Sequence, residues 1–312
     1  MFFVDVDVRN VGFLPFWRFL VGTPFSKETT YLQTPPSVEV LADYGRDLLI
    51  RECYSTLLGI ITDDALAGYH NRRAFTILGD GSVGKSFFAA YLMWYAAAKG
   101  INVIHEPPGL YNLRYFFYSN GEFYATLGTA MYYPTEEDGQ NTWYIVDANQ
   151  PNFIISSCVN RTILLTVPNE EVYKDWTIQM RARVRYMPAW SYEDLRSYCR
   201  SVKTASYEKL CSRYDFCGGD ARKLLWSPTD DRYERESEHE ISNMHLDSAI
   251  PVLWFSPSKR YDMPCFVIVP SDNYRSASFG FASRYIREKV VEQSYRTDRK
   301  RVLGIIRGTT TL

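Results

Sequence analysis

The sequence lacks the features of several large classes of protein. No run of apolar residues approaches the roughly 20 residues that a membrane-spanning helix needs, so no membrane partner is expected. The N-terminal residues M-F-F-V-D-V-D have neither the basic start nor the long apolar stretch of a secretory signal, and their alternation predicts a short strand. The 35 Lys and Arg residues nearly balance the 36 Asp and Glu residues, so the net charge does not attract the chain to nucleic acid.

Cysteines and histidines are too scattered to predict a zinc site. Such a site needs closely spaced pairs of thiolate or imidazole ligands. The six cysteines form no C-x-x-C pair, and the four histidines lie away from the two nearest cysteines, Cys211 and Cys217. We therefore expect reduced, buried thiols and an intracellular, reducing compartment.

Apolar and aromatic residues are abundant instead. Hydrophobic residues make up 46% and aromatic residues 16% of the 312 residues, which excludes a disordered chain and suits one large or two modest domains. A helical spacing of apolar residues over 38–61 predicts one helix there.

Short apolar runs alternate with helical segments from Ala74 onward. Strands are predicted at 74–78, 101–105, 143–146, 163–167 and 183–187, and a helix at 87–99. The dipeptide Asn120-Gly121 predicts a hairpin between 114–118 and 122–126. Beyond Ser191 the pattern is helical to about residue 246, and two strands (252–255 and 265–269) and a helix (281–294) follow. The pattern predicts an α/β fold with a mostly parallel central sheet.

One segment has the pattern of a phosphate-binding loop. Residues 79–86 read G-D-G-S-V-G-K-S, with an apolar strand before them and an apolar helix after them, which is the context the P-loop motif requires. Glycines let backbone N–H groups approach phosphate oxygens, Lys85 supplies charge to the β- and γ-phosphates, and the Ser86 hydroxyl joins the Mg²⁺ shell. The predicted nucleotide-binding residues are Gly79, Asp80, Gly81, Ser82, Val83, Gly84, Lys85 and Ser86. We expect Asp80 to face solvent, because its charge opposes phosphate.

A second acid lies about sixty residues after the loop, where the predicted strand W-Y-I-V-D ends on Asp147. In P-loop enzymes a carboxylate at this place holds Mg²⁺ through water, so Ser86 and Asp147 are the predicted metal residues. Ala148 follows, where many ATPases have a glutamate that polarises the attacking water. The general base is therefore unassigned, and the weak candidates are Glu136, Glu137 and Asp138.

The arginines have more than one interpretation. Arg181, Arg183 and Arg185 alternate with apolar residues, so they are predicted to share one face of a strand. This face either stabilises the charge of a transferred phosphoryl group, binds nucleic acid or is exposed to solvent without a further role. Arg222 follows Gly218-Gly219 at the start of a short helix and is either a γ-phosphate sensor or a surface residue. Basic residues between 296 and 307 are typical of a solvated helix or of a nucleic-acid contact.

An ordered series of segments resembles the Crinkler proteins and, more distantly, the retrotransposon hot spot proteins of trypanosomatids. Besides the loop and the strand W-Y-I-V-D-A, these segments are I-L-L-T-V-P-N (163–169), R-Y-M-P-A-W-S-Y-E-D-L (185–195), F-C-G-G-D-A-R-K-L-L (216–225) and F-A-S-R-Y-I-R-E-K-V (281–290). The resemblance covers roughly residues 70 to 295.

This resemblance implies an ATPase module of the additional-strand type, found in oomycete and fungal effectors that often act in a host nucleus. It implies that Lys85, Asp147 and Arg222 are catalytic, although Ala221 stands where a proline is usual. Residues 1–72 show no ubiquitin-like header and no nuclease segment follows residue 295, so nuclease activity is not expected.

Four segments are predicted on this basis. They are an N-terminal lead-in (1–72), a P-loop NTPase core (73–190), a helical lid or sensor region (191–250) and a C-terminal α+β segment (251–312). The leading hypothesis is a Mg²⁺-dependent ATPase whose cycle drives a conformational switch. The alternatives are a nucleotide-gated module that scarcely hydrolyses, with a nucleic-acid or protein partner, and a nucleic-acid-binding protein. No residue distinguishes ATP from GTP.

Overall fold

A computed structural model of the chain describes residues 12–42, 45–63, 73–109, 113–127, 134–202, 206–225, 232–244, 265–297 and 299. The contacts divide the chain into two compact units. The first comprises Met1–Leu78 and Gly84–Arg185, and the second comprises Gly79–Val83 and Tyr186–Leu312. These units are not the four segments drawn from the sequence, which stay a prediction about domain organisation.

The first unit is built on a seven-stranded sheet. Its strands are β3 (Arg73–Leu78), β4 (Asn102–Glu106), β5 (Leu113–Phe117), β6 (Phe123–Leu127), β7 (Thr142–Asp147), β8 (Arg161–Thr166) and β9 (Arg183–Tyr186), after a small antiparallel pair of β1 (Tyr31–Gln33) and β2 (Asp47–Leu49). The helices are α1 (Phe13–Val21), α2 (Glu52–Thr62), α3 (Lys85–Ala98), α4 (Glu136–Gln140), α5 (Phe153–Cys158) and α6 (Glu170–Gln179).

The strands of the sheet lie in the order β6-β5-β4-β7-β8-β3-β9. The pairs β4–β7, β7–β8 and β3–β8 are parallel, whereas β4–β5 and β5–β6 are antiparallel. The predicted α/β fold with a mostly parallel central sheet is therefore confirmed, and so is the hairpin at Asn120-Gly121. Strand β8 lies between β3 and β7, which brings the ends of these strands to one edge of the sheet.

Both faces of the sheet are covered by apolar side chains. On one face α1 stacks Phe13 on Tyr115, and α3 stacks Tyr95 on Trp143. On the other face the core contains sheet residues together with Ile155 of α5 and the fully buried Trp176 of α6. Burial on both faces explains why these strands read as continuous apolar runs.

The single helix predicted over 38–61 is wrong. The chain instead forms a short 3₁₀ helix at Val40–Ala42, the strand β2 and then α2. Leu41 has a φ of 47° and Gly45 a φ of 70°, and a helix cannot continue through such left-handed residues. Apolar periodicity alone did not reveal these two backbone reversals.

The described part of the second unit consists mainly of helices, together with one hairpin. Its elements are α7 (Tyr192–Ser201), α8 (Tyr207–Cys217), α9 (Ala221–Leu224), α10 (Arg232–Ser242), the antiparallel strands β10 (Phe266–Pro270) and β11 (Ala277–Phe281), and α11 (Arg284–Thr297). Ser191 caps α7 in a capping box with Asp194. The predicted strands at 1–7 and 252–255 lie outside the described residues.

Three segments that carry the family resemblance meet in this unit. A Cβ on Gly219 would lie 2.4 Å from the carbonyl oxygen of Trp190, and one on Gly218 would lie 2.0 Å from the carbonyl oxygen of Ala282. The backbone N–H of Trp190 also donates to the Gly219 carbonyl at 3.0 Å. The two glycines are needed because backbone segments approach them closely.

Three further predictions concerned the cysteines, membrane-spanning helices and a zinc site. All six cysteines are free, but only three of them (Cys53, Cys217 and Cys265) are buried, so the expectation of buried thiols holds for half of them. Within the described ranges, no helix has both the length and the apolar character to cross a bilayer, and no group of three or more His, Cys, Asp or Glu side chains could hold a metal ion.

Replacing Gly218 by alanine tests the close approach to Ala282. Gly218 has a φ of 74° and a ψ of −156°, a conformation open almost only to glycine, so the substitution combines backbone strain with a clash against the Ala282 carbonyl. Gly100 has a φ of 67°, and a Cβ there would meet no atom of the described residues within 4 Å, so Gly100→Ala carries only left-handed backbone strain of about 1 kcal/mol. In urea unfolding we expect Gly218→Ala to cost several kcal/mol more than Gly100→Ala, and equal costs would contradict the packing described.

A buried histidine predicts acid sensitivity. His105 in β4 is 1% exposed, and burial lowers its pKa from 6.5 to about 4. Because the unfolded chain binds this proton at higher pH than the folded chain, stability falls as the pH drops from 6.5 towards 4, by about 3 kcal/mol. His105→Leu should flatten this part of the stability profile, whereas the same change at the exposed His239 should leave the wild-type slope intact.

Candidate phosphate-binding site

The backbone of residues 79–86 turns sharply between β3 and α3. Ser82 has a φ of 61°, and Gly84, the residue before α3, has a φ of 99° and a ψ of 24°. A Cβ on Gly79 would lie 2.9 Å from the Val83 side chain and 3.3 Å from Cβ of Met187. Glycine is thus required at both ends of the loop, by contact at Gly79 and by backbone conformation at Gly84.

Asp80 does not face solvent as the sequence suggested. It is half-buried, and its Oδ2 accepts the backbone N–H of Ile268 in β10 at 2.7 Å. This hydrogen bond holds the Asp80 side chain to the second unit's hairpin. The charge expected to oppose phosphate therefore has a partner of its own.

Three of the predicted residues come together in the first unit. Asp147 closes β7, its side chain forms a hydrogen bond with Ser86, and the charge of Lys85 acts on it. Both charged residues are buried, since Lys85 is 9% and Asp147 is 3% exposed. Burial raises the pKa of Asp147, while the Ser86 hydrogen bond and the Lys85 charge lower it, and the net shift is upward.

The carboxylate of Asp147 is only partly satisfied. Its Oδ2 is buried and has no hydrogen-bond partner among the described residues. A buried carboxylate oxygen without a partner destabilises the folded state unless a cation or a hydrogen-bond donor contacts it. Ser86 and Asp147 together offer the hydroxyl and carboxylate oxygens that Mg²⁺ prefers, and Mg²⁺ commonly takes its remaining ligands from phosphates and water. The residues present therefore fit a metal that arrives with a phosphate ligand.

The predicted arginine face is not a basic surface. Arg181 precedes β9 with a φ of 50°, so it does not share the strand with the other two. The Arg183 guanidinium lies 5.8 Å from the ring centre of Phe75, and Arg185 is 7% exposed, with Nη1 donating to the Val184 carbonyl at 2.7 Å. Arg222 is exposed at the start of α9, where Asp220 caps the helix. Its sensor role stays a prediction.

The candidate bases lie far from Asp147. Glu136, Glu137 and Asp138 belong to α4, which precedes the first residue of β7, whereas Asp147 is the last. Six residues of strand span about 20 Å, so these carboxylates are at the opposite edge of the sheet. Ala148 offers no functional group, and its φ of 68° is held by a hydrogen bond from its N–H to the Leu165 carbonyl.

A buried acid that the sequence did not single out is Glu106, the last residue of β4. It forms an ion pair with Arg114 at 3.1 Å and accepts the Tyr144 hydroxyl at 2.6 Å. Burial, and then the charge of Glu106, raises the pKa of Tyr144 and keeps this donor protonated. Glu106 pairs with Val146 rather than Asp147, so it projects from the opposite face of the sheet. The sequence signal that could have identified Glu106 is a charged residue at the end of an otherwise apolar strand.

Sequence reasoning also did not identify Tyr54, whose hydroxyl donates to the Gly84 carbonyl at 2.6 Å. It lies in α2, within the lead-in, where a tyrosine on an apolar helix face indicates packing only. The segment before the sheet thus contributes a direct contact to the predicted phosphate-binding loop.

Comparison with protein-family models and with curated protein sequences finds no match to this chain. The resemblance to Crinkler proteins therefore rests on the sequence segments alone and stays a prediction.

Neutralising Asp147 should stabilise the ligand-free protein. The pKa of Asp147 is raised, so its charged form is disfavoured by folding at neutral pH. We expect Asp147→Asn to melt at a higher temperature than wild type, with a difference that disappears as the pH falls below the raised pKa. Glu106→Gln is the control, because it breaks the buried pair with Arg114 and should lower the melting temperature. Destabilisation by both changes would contradict the partly satisfied state of Asp147.

Proposed function

We propose that this chain binds a nucleoside triphosphate with Mg²⁺ and hydrolyses it, as the ATPase module of Crinkler-type proteins does. One observation carries the proposal: Lys85, Ser86 and Asp147 come together although about sixty residues separate the loop from the acid. A structural ion pair alone would require neither the hydroxyl of Ser86 nor a buried Asp147 oxygen that has no partner among the residues the structure describes.

Each residue has a separate role in this proposal. The backbone N–H groups of the loop and the N-terminus of α3 cradle the phosphates. Lys85 neutralises charge on the β- and γ-phosphates, and Ser86 and Asp147 hold the metal. Bound Mg²⁺ supplies a charge that offsets the negative charge of the phosphates. Arg222 is assigned as the sensor from the sequence resemblance.

The strand order supports the same proposal. An additional-strand ATPase has one strand between the strand that leads into the phosphate loop and the strand that ends on the metal-associated acid. Here β8 lies between β3 and β7. The buried tips of both strands would then frame the phosphate site.

A second candidate, a nucleotide-gated module with little hydrolysis, is favoured because the described residues place no general base beside Asp147. Position 148 is alanine, and Glu106 on the neighbouring strand is occupied by Arg114 and Tyr144. Such a protein would bind the nucleotide tightly and turn over slowly. The nucleic-acid hypothesis has less support, because Arg185 is buried.

Phosphate release by purified protein tests the enzyme. With Mg²⁺ and ATP we expect turnover by wild type, and a loss of at least a hundredfold in Lys85→Ala and Asp147→Asn, since each removes charge stabilisation worth about 3 kcal/mol or more. Lys99→Ala is the matched control, because Lys99 is an exposed lysine at the other end of α3. Equal turnover in all four proteins would exclude the assignment.

Calorimetric titration with ATP separates the two candidates. Binding that needs Lys85, together with no phosphate release even when nucleic acid or a protein partner is added, would select the gated module. No binding by wild type would reject both.

A further inference from the structure

Tyr54 is built into the structure beside the phosphate loop. Its side chain is 1% exposed, and its ring packs against Phe88 and Tyr91 of α3, with centroids 5.2 and 5.9 Å away. The Tyr54 hydroxyl donates to the carbonyl oxygen of Gly84 at 2.6 Å, a typical length for a strong O–H···O bond. The aromatic packing fixes where this hydroxyl can point.

The acceptor is the peptide group at the hinge between the loop and α3. The Gly84 carbonyl also accepts the N–H of Phe88 at 2.9 Å, the first bond of the helix. A trans peptide is planar, and its C=O and N–H point in opposite directions. Holding the carbonyl of Gly84 towards Tyr54 therefore directs the N–H of Lys85 away from Tyr54.

Glycine at this position makes such a restraint necessary. Gly84 adopts a left-handed conformation with a φ of 99°, and glycine has access to several other conformations at similar energy. Without the Tyr54 hydroxyl, the Gly84 carbonyl would keep the bond from the Phe88 N–H but lose the second one, and the Lys85 N–H donor of the same peptide would sample a wider range of orientations. Preorganisation of such donors is what makes a phosphate loop bind tightly.

We propose that Tyr54 is a positioning residue for the phosphate loop: its hydroxyl orients the Gly84–Lys85 peptide so that the Lys85 N–H meets the triphosphate. The inference rests on the proposed nucleotide binding and names a residue outside the loop on which that binding depends. Tyr54 acts through Gly84 and does not touch the ligand.

Two tyrosine-to-phenylalanine variants test this role. Tyr91 is 0% exposed and lies in the same aromatic cluster, but its hydroxyl has no hydrogen-bond partner among the described residues. Each change removes one buried oxygen and keeps the ring. By calorimetry, Tyr54→Phe should weaken binding of Mg²⁺·ATP and of inorganic tripolyphosphate by about three- to tenfold, whereas Tyr91→Phe should match wild type.

Hydrogen exchange of the ligand-free proteins gives a readout that does not need nucleotide binding. Backbone amides of residues 84–86 should exchange faster in Tyr54→Phe than in wild type or Tyr91→Phe. If wild type binds both ligands and Tyr54→Phe binds them equally well, the inference is overturned. A similar loss of affinity in both variants also overturns it, because the effect would then come from packing. Absence of binding by wild type would instead remove the proposed function, with faster exchange still supporting the restraint by Tyr54.

Discussion

The parallel pairing of β3, β8 and β7 is the constraint on which the candidate site depends. Parallel strands in register end at the same edge, so the chain leaving β3 and the acid closing β7 are brought near each other. The strands themselves are apolar and buried on both faces, which leaves only their ends for charged groups. Lys85 and Asp147 are therefore close because of the register, and their chemistry follows from that position.

The buried acids on the two faces of the sheet, Glu106 and Asp147, differ in how fully they are hydrogen-bonded. Glu106 is satisfied by a guanidinium and a phenol, and such a closed network stabilises one arrangement of the core. Asp147 has one oxygen without a hydrogen-bond partner in the described part of the chain, and its pKa is raised. Incomplete satisfaction of a buried acid is characteristic of functional sites, where stability is given up for a ligand.

The sequence predicted those features that depend on local pattern. The apolar strands, the glycines of the loop and the carboxylate at the end of β7 each have a spacing or composition that physical chemistry interprets directly. It did not predict contacts between distant segments. Nothing in the run around Tyr54 indicates a bond to Gly84, and nothing around Asp80 indicates that β10 would supply its donor. The broken helix over 38–61 shows the same limit, because left-handed backbone at Leu41 is not visible in apolar spacing.

The position of β8 between β3 and β7 also affects the order in which the chain folds during synthesis. Strand β3 ends at Leu78, whereas its parallel partner β8 begins only at Arg161. At translation rates of about 5–20 residues per second, β3 waits on the order of ten seconds for that partner to leave the ribosome. During this time its apolar edge is open to other strands. Because the neighbours of β3 are β8 and β9, the last two strands of the sheet in chain order, β3 is among the last strands of the first unit to acquire its final surroundings.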